Sequence, residues 1–249
     1  MNTAGIVLFL VSALAGSYLQ AVTGFAMGLL MVAVMGASGW LPLPLVAAAV
    51  SFLALVNIAL SLRGRFHFRD RQLLRWLLIG QVCAVGPGVW LLHELDANAQ
   101  RALALLLGSF ITGGALSMLA RPHRRAALSG RAGALVAGAS GGVLAGLFAA
   151  SGPVLGWFMY RQPLPLDGIR ATLLTFFAVS STLRIAAVGI SGGLTVEVGW
   201  LVVGALPLVL LGSWLGRRFP PAASEAGIQR LAFSVLLLAG AWILVGAFR

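Results

Sequence analysis

The stretch Ala21-Val22-Thr23-Gly24-Phe25-Ala26-Met27-Gly28 interrupts an apolar run that otherwise extends from residue 4 to residue 39. A second interruption, Ser151-Gly152-Pro153-Val154-Leu155-Gly156, divides the run 132–160 in the matching place. Thr and Ser are good helix N-caps, and Pro suits the first helical turn because its missing N–H has no partner there anyway. Each interruption therefore reads as the tip of a broken-helix hairpin, with a half-helix starting at Thr23-Gly24 or Ser151-Gly152 and running back the way the chain came. The second arm of the second hairpin, 152–160, reaches only about 14 Å at ~1.5 Å per residue, half of a hydrocarbon core. Both hairpins are accordingly expected to be re-entrant.

Outward from the tips, the chain is apolar almost throughout. Of its 249 residues, 60% are hydrophobic and 9% charged, with a mean hydropathy of +1.00. A soluble domain carries about 25% charged residues, so lipid must solvate most of this surface. The remaining spans read as 41–62, 73–92 and 101–120 after the first hairpin (4–39), and 168–190, 197–216 and 228–247 after the second (132–160). A linker at 121–131 joins the halves, and nothing in the sequence leaves room for a soluble domain. Met1-Asn2-Thr3-Ala4 lacks the basic region of a cleaved signal peptide, so residue 4 onward is read as part of the fold.

The halves repeat one another. Besides the tips, Pro42-Leu43-Pro44-Leu45 matches Pro163-Leu164-Pro165-Leu166. Gly80, Gly88, Trp90 and Leu91 match Gly204, Gly212, Trp214 and Leu215, and Gln100-Arg101 matches Gln229-Arg230, all in the same order. The fold class expected is thus an all-α polytopic membrane protein of two inverted repeats, each a re-entrant hairpin followed by three transmembrane helices.

Charge sets the orientation. The net charge of +11 comes from 17 arginines, with no lysine. With hairpins at 4–39 and 132–160, arginines 63, 65, 69, 71, 75, 121, 124, 125, 131, 161, 170, 217, 218 and 230 share one side, and only Arg101 and Arg249 take the other. That asymmetry is the positive-inside pattern. It puts the linker in the cytoplasm and both termini on the far side of an inner membrane. Two full crossings in place of each hairpin give the same parity. Arginines confined to short loops between spans also argue against nucleic-acid binding.

Half-helices that start inside a membrane aim unpaired N–H groups and a positive dipole end into it, and two such ends make an anion site. The substrate-binding candidates at the tips are Thr23, Gly24, Phe25, Ser151, Gly152 and Pro153. Gln20 and Asn57 join them because large amides inside spans are hard to satisfy alone, and Thr175 is a smaller polar residue in the run 168–190. Arg184 lies inside the same run. It is read either as an anion contact or as a side chain snorkelling to the outer interface, with a pair to Glu197 as a further alternative. Arg170 is read either as a positive-inside anchor or as a binding residue. Ser51, Ser180 and Ser181 read as back-bonded or packing serines. Gly113-Gly114, Gly138, Gly141-Gly142 and Gly146 read as close-packing positions.

Catalytic chemistry has no support in the sequence. His67, His93 and His123 fall in loops on different sides, giving no three-ligand metal site. All six acids lie in loops or at helix ends. Cys83 stands alone, and no phosphate loop is present. No cofactor is implied. The function expected is a secondary transporter of a small anion, with export as the direction that the family resemblance given below implies. A passive anion channel and a non-transporting structural or assembly protein are the alternatives. The partners are a small anion and the lipid bilayer, and a homodimer is compatible with the sequence.

With the tips and repeats placed, the chain resembles the sulfite exporter TauE/SafE family of membrane permeases. The resemblance rests on Ala21-Val22-Thr23-Gly24-Phe25-Ala26-Met27-Gly28, on Gly146-Leu147-Phe148-Ala149-Ala150-Ser151-Gly152-Pro153, and on Arg170-Ala171-Thr172-Leu173-Leu174-Thr175-Phe176-Phe177. It implies a sulfur oxyanion or organosulfonate as substrate. The first repeat has Ala47-Ala48-Ala49 near the place of Arg170-Ala171-Thr172, so a role for Arg170 is asymmetric.

Overall fold

A computed structural model of the protein describes residues 3–64, 66–120, 125–219 and 225–248. Arg65, Arg121, Arg124, Arg249 and His123, which figure in the charge and ligand readings, lie outside the described residues. In hydrocarbon every backbone N–H and C=O must find a partner within the protein, which leaves helices as the form available to such apolar runs.

The described residues form ten α-helices: α1 (Thr3–Thr23), α2 (Met27–Ser38), α3 (Leu43–Leu62), α4 (Arg71–Asn98), α5 (Gln100–Leu119), α6 (Arg131–Phe148), α7 (Gly152–Tyr160), α8 (Leu166–Ile190), α9 (Val196–Arg218) and α10 (Glu225–Ala247). Among the described residues, six (α1, α3, α4, α6, α8 and α9) are long and apolar enough to cross a membrane.

α1–α2 and α6–α7 are antiparallel hairpins. Gly16 sits against Met27 and Gly5 against Trp40, while Gly141 sits against Leu155 and Gly133 against Phe158. The arms are unequal. α1 and α6 have spanning length, whereas α2 has 12 residues and α7 has 9.

The turns differ from the sequence reading. Thr23 does not cap a new helix. It closes α1, and its hydroxyl donates back to the Leu19 carbonyl (2.8 Å). The chain turns at Gly24 (φ +93°), and α2 begins at Met27 behind Ala26. In the second hairpin the left-handed residue is Ala149 (φ +51°), and α7 begins at Gly152 behind Ser151, whose side chain makes no capping bond. Each short helix thus begins three residues after a left-handed residue, α2 at Met27 after Gly24 and α7 at Gly152 after Ala149.

α4 also runs further than its apolar core. Asp70 caps its start, accepting from the Leu73 N–H at 2.7 Å, a bond worth about 1 kcal/mol. No Gly or Pro interrupts His93–Asn98, so Glu94 and Asp96, read as loop residues, stand on the last turns of the helix.

Three close helix pairings join the first part of the chain to the second. Gly80 and Gly88 of α4 press onto the α6 backbone at Leu135 and Val143, and Gly138, Gly142 and Gly146 of α6 press back. Gly212 and Gly216 of α9 likewise press onto α1 at Leu14 and Tyr18, with Gly204 facing Leu10. Small residues let helix backbones approach this closely in lipid. Both pairs run parallel. α5 and α10 pack antiparallel through Gly108 against Leu244 and Gly240 against Thr112. Gly113, read as a packing glycine, has nothing against it, while Gly114 meets Pro153.

Arginine-bearing ends gather at one pole of the bundle. Arg217 donates to the Leu60 carbonyl (3.2 Å), Asp70 N–H to the Thr172 hydroxyl (3.0 Å), and Arg131 lies over the Trp76 ring. At the opposite pole Arg101 lies over Phe248, and Gly193 approaches His93.

Candidate functional site

The two elbows meet. A Cβ on Gly28 would strike the Ala149 carbonyl oxygen (2.5 Å), and one on Gly152 would crowd Phe25 at 3.0–3.1 Å. Beside this contact lies a cavity of about 30 Å³, room for about two waters. Its walls come from the end of α1 and start of α2 (Gln20, Phe25, Gly28), the elbow after α6 (Ala149–Gly152), α3 (Ser51) and α8 (Ser180, Ser181, Arg184).

Arg184 is the decisive side chain. It is only 1% exposed, so it neither snorkels nor reaches Glu197, which stands exposed at the start of α9. Its Nε donates to the Gly146 carbonyl (3.0 Å) and its Nη1 to the Ser51 hydroxyl (3.2 Å). Nη2 makes no hydrogen bond, nor do the buried Gln20 Nε2 and the Ser180 hydroxyl. All three groups belong to residues lining the cavity. Among the described residues, none that lines it is acidic.

A guanidinium stays charged in proteins, and a buried charge is costly unless paired. Here the described residues supply two neutral acceptors, Gly146 and Ser51, and no carboxylate. The helix starts add to the positive field. Gly28 and Leu29 are in the first turn of α2 and Gly152 in that of α7, where N–H groups lack intrahelical partners, and all three residues face the cavity. Gln20 Oε1 takes up the Met27 N–H (3.2 Å), which fixes the elbow and leaves the Gln20 amide nitrogen for another acceptor.

Of the residues singled out from the sequence, Gln20, Phe25, Ser151, Gly152 and Arg184 line the cavity. The other six do not. Thr23 bonds to its own helix. Gly24 packs on the Arg170 side chain, whose Nη2 donates to the Val22 carbonyl (3.4 Å), so Arg170 braces the first elbow from outside. Pro153 packs on Gly114 of α5. Thr175 bonds back to Ala171. Asn57 is buried as a clip, donating to the Ser17 carbonyl (3.2 Å) and the Ser213 hydroxyl (2.7 Å), so it ties α3 to α1 and α9. Ser51 and Ser180, which in the sequence read only as back-bonded or packing serines, also line the cavity. Ser51 does bond back to Ala47 (2.8 Å), yet it also receives Arg184.

The family model described as Sulfite exporter TauE/SafE matches residues 8–243. The chain belongs to the sulfite exporter TauE/SafE family. It is 39% identical over 233 residues to the probable sulfite/organosulfonate exporter TauE of Cupriavidus necator, covering 94% of this chain and 91% of that one. It is 34% identical over 196 residues to the probable inner membrane transporter protein TsaS of Comamonas testosteroni, covering 73% and 75%. A match to apolipoprotein N-acyltransferase of Prochlorococcus marinus, 37% identical, spans 44% of this chain but only 25% of that protein, too little to carry an activity. No solved structure matches the chain significantly. As a TauE/SafE member with six spanning-length apolar helices, the protein is a membrane protein of a transporter family.

Proposed function

We propose that this TauE/SafE protein is a secondary transporter that exports a small sulfur oxyanion, sulfite or a short organosulfonate, across the inner membrane, holding it between the two elbows. The observation that carries the reading is Arg184, a buried guanidinium in a cavity with two further unpartnered donors and, among the described residues, no acid. The names of the Cupriavidus and Comamonas relatives point the same way.

In this reading the anion accepts from Arg184 Nη2, Gln20 Nε2, the Ser180 hydroxyl and the amides at the starts of α2 and α7. Charge-assisted hydrogen bonds of this kind are the strong ones. The space suits a compact inorganic oxyanion; an organosulfonate chain needs the walls to part. So small a space also favours alternating access over a water-filled channel. Inverted repeats are supported by the pairing of α4 with α6 and of α9 with α1, each parallel, and by the antiparallel pairing of α5 with α10. The arginine-rich pole then faces the cytoplasm and both termini face away from it. Proteoliposomes preloaded with unlabelled sulfite should accumulate labelled sulfite transiently by exchange. A channel gives dissipating flux with no exchange phase, and absence of flux for sulfite, sulfoacetate and taurine alike rejects the reading.

A further inference from the structure

A groove outside the cavity has no part in the anion reading. It runs along the outward face of α4 at the arginine-rich pole, has a volume of about 450 Å³, and carries Arg69, Arg71 and Arg75 at its mouth. Below them it continues along Leu74, Leu78, Ile79 and Val82. The helical spacing 71, 75, 78, 82 puts these residues on one stripe. Ile79 is 45% and Val82 56% exposed, so the apolar part faces lipid rather than protein. Trp76 marks the interface level. Its ring has Arg75 5.9 Å and Arg131 5.3 Å away. The acid beside the mouth, Asp70, is engaged in capping α4 through the Leu73 N–H.

We infer that this groove binds an anionic phospholipid, its phosphate among Arg69, Arg71 and Arg75 and one acyl chain along Leu74–Val82. Three guanidiniums over an apolar wall about 10 Å deep match a molecule that is a phosphodiester at one end and a hydrocarbon at the other. A free phosphate would leave the wall unused, and a zwitterionic headgroup would bring a cation to the arginines. Arg69 adjoins Asp70, whose N–H donates to Thr172 of α8 (3.0 Å), so the bound headgroup braces the α3–α4 connection against α8.

The test uses the full chain purified in a neutral detergent and follows thermal unfolding as phosphatidylglycerol, phosphatidylcholine or inorganic phosphate is added. Phosphatidylglycerol should raise the midpoint more than phosphatidylcholine, and phosphate should not substitute for it. The half-saturating phosphatidylglycerol concentration should rise about tenfold or more in Arg71→Gln/Arg75→Gln, since each basic residue near the surface contributes roughly 1 kcal/mol. It should stay unchanged in Arg218→Gln, at the same pole on α9. Equal stabilisation by phosphatidylcholine, an equal effect of phosphate, or an unmoved half-saturation in the double variant overturns the inference. Should that variant not fold, native mass spectrometry of the wild type in equimolar mixed micelles decides. One retained phosphatidylglycerol supports the site, and no headgroup preference overturns it.

Discussion

Arg184 Nη1 donates to the Ser51 hydroxyl at 3.2 Å, and so joins α8 to α3 across the cavity. In the inverted-repeat arrangement proposed above these two helices correspond, and the bond is one-sided, since α3 carries no arginine. With Nε held by Gly146 on α6, the guanidinium is fixed by three helices and turns one free edge to the cavity. Arg184→Gln should fold, because Gln can still donate to a carbonyl or hydroxyl, but it should weaken anion binding roughly 10–100-fold, the loss of a charged hydrogen bond of about 1.5–3 kcal/mol. Arg184→Lys should fall between the two, since an ammonium lacks the planar fork needed to hold Ser51, Gly146 and an anion together. Labelled-sulfite uptake into proteoliposomes ranks the three.

Contact between the elbows depends on Gly28. Its Cβ position lies against the Ala149 carbonyl oxygen, and neither backbone group can yield as a flexible side chain would. Gly28→Ala is expected to push the elbows apart and abolish most transport while the protein still reaches the membrane. Wild-type flux from this variant would mean that the elbow contact is not part of the site.

Ala149 adopts φ +51° at the end of α6, where a non-glycine residue costs roughly 1–2 kcal/mol. Ala149→Gly should leave the unfolding midpoint equal or raised. Ala149→Val, branched at Cβ and beside Gly28, should lower it by several degrees. Thermal unfolding in detergent separates the pair, and a reversed order would argue against the left-handed elbow.

Asn57 tests the division between site and scaffold. Asn57→Ala removes the bonds to Ser17 and Ser213 and should cost about 1 kcal/mol of stability, in line with interhelical hydrogen bonds in lipid. Its apparent affinity for sulfite should change less than threefold. A large loss of affinity with unchanged stability would move Asn57 into the site.

Much of the architecture was legible because lipid leaves so few options. Long apolar runs must be helices, and breaks at Gly24 and Gly152 with short second arms indicated hairpins. The elbow chemistry was not legible. Thr23 has N-cap character, but its hydroxyl satisfies Leu19 one turn back, and the next helix waits until Met27. The reach of α4 to Asn98 was hidden because polar residues at its end looked like a loop. Arg184 could be flagged as an oddity within a span, but its partners are Gly146 and Ser51, residues whose convergence depends on packing. Ser180 looks like any membrane-helix serine until its hydroxyl is found without a backbone partner.

Sidedness is checked by cysteine labelling in a Cys83→Ala background. Arg63→Cys and Arg217→Cys lie at the same pole, since Arg217 contacts Leu60, and should be labelled only from the cytoplasm. Ser191→Cys, beyond the end of α8, should be labelled only from outside. Labelling of positions 63 and 217 from opposite sides would break the inverted arrangement.

The most direct measurement is equilibrium binding of labelled sulfite to purified wild type and to Arg184→Gln, with unfolding midpoints recorded alongside. An anion held between the elbows predicts saturable binding at one site per chain, weakened at least tenfold by Arg184→Gln at nearly unchanged stability. Binding of equal strength in both proteins would contradict it.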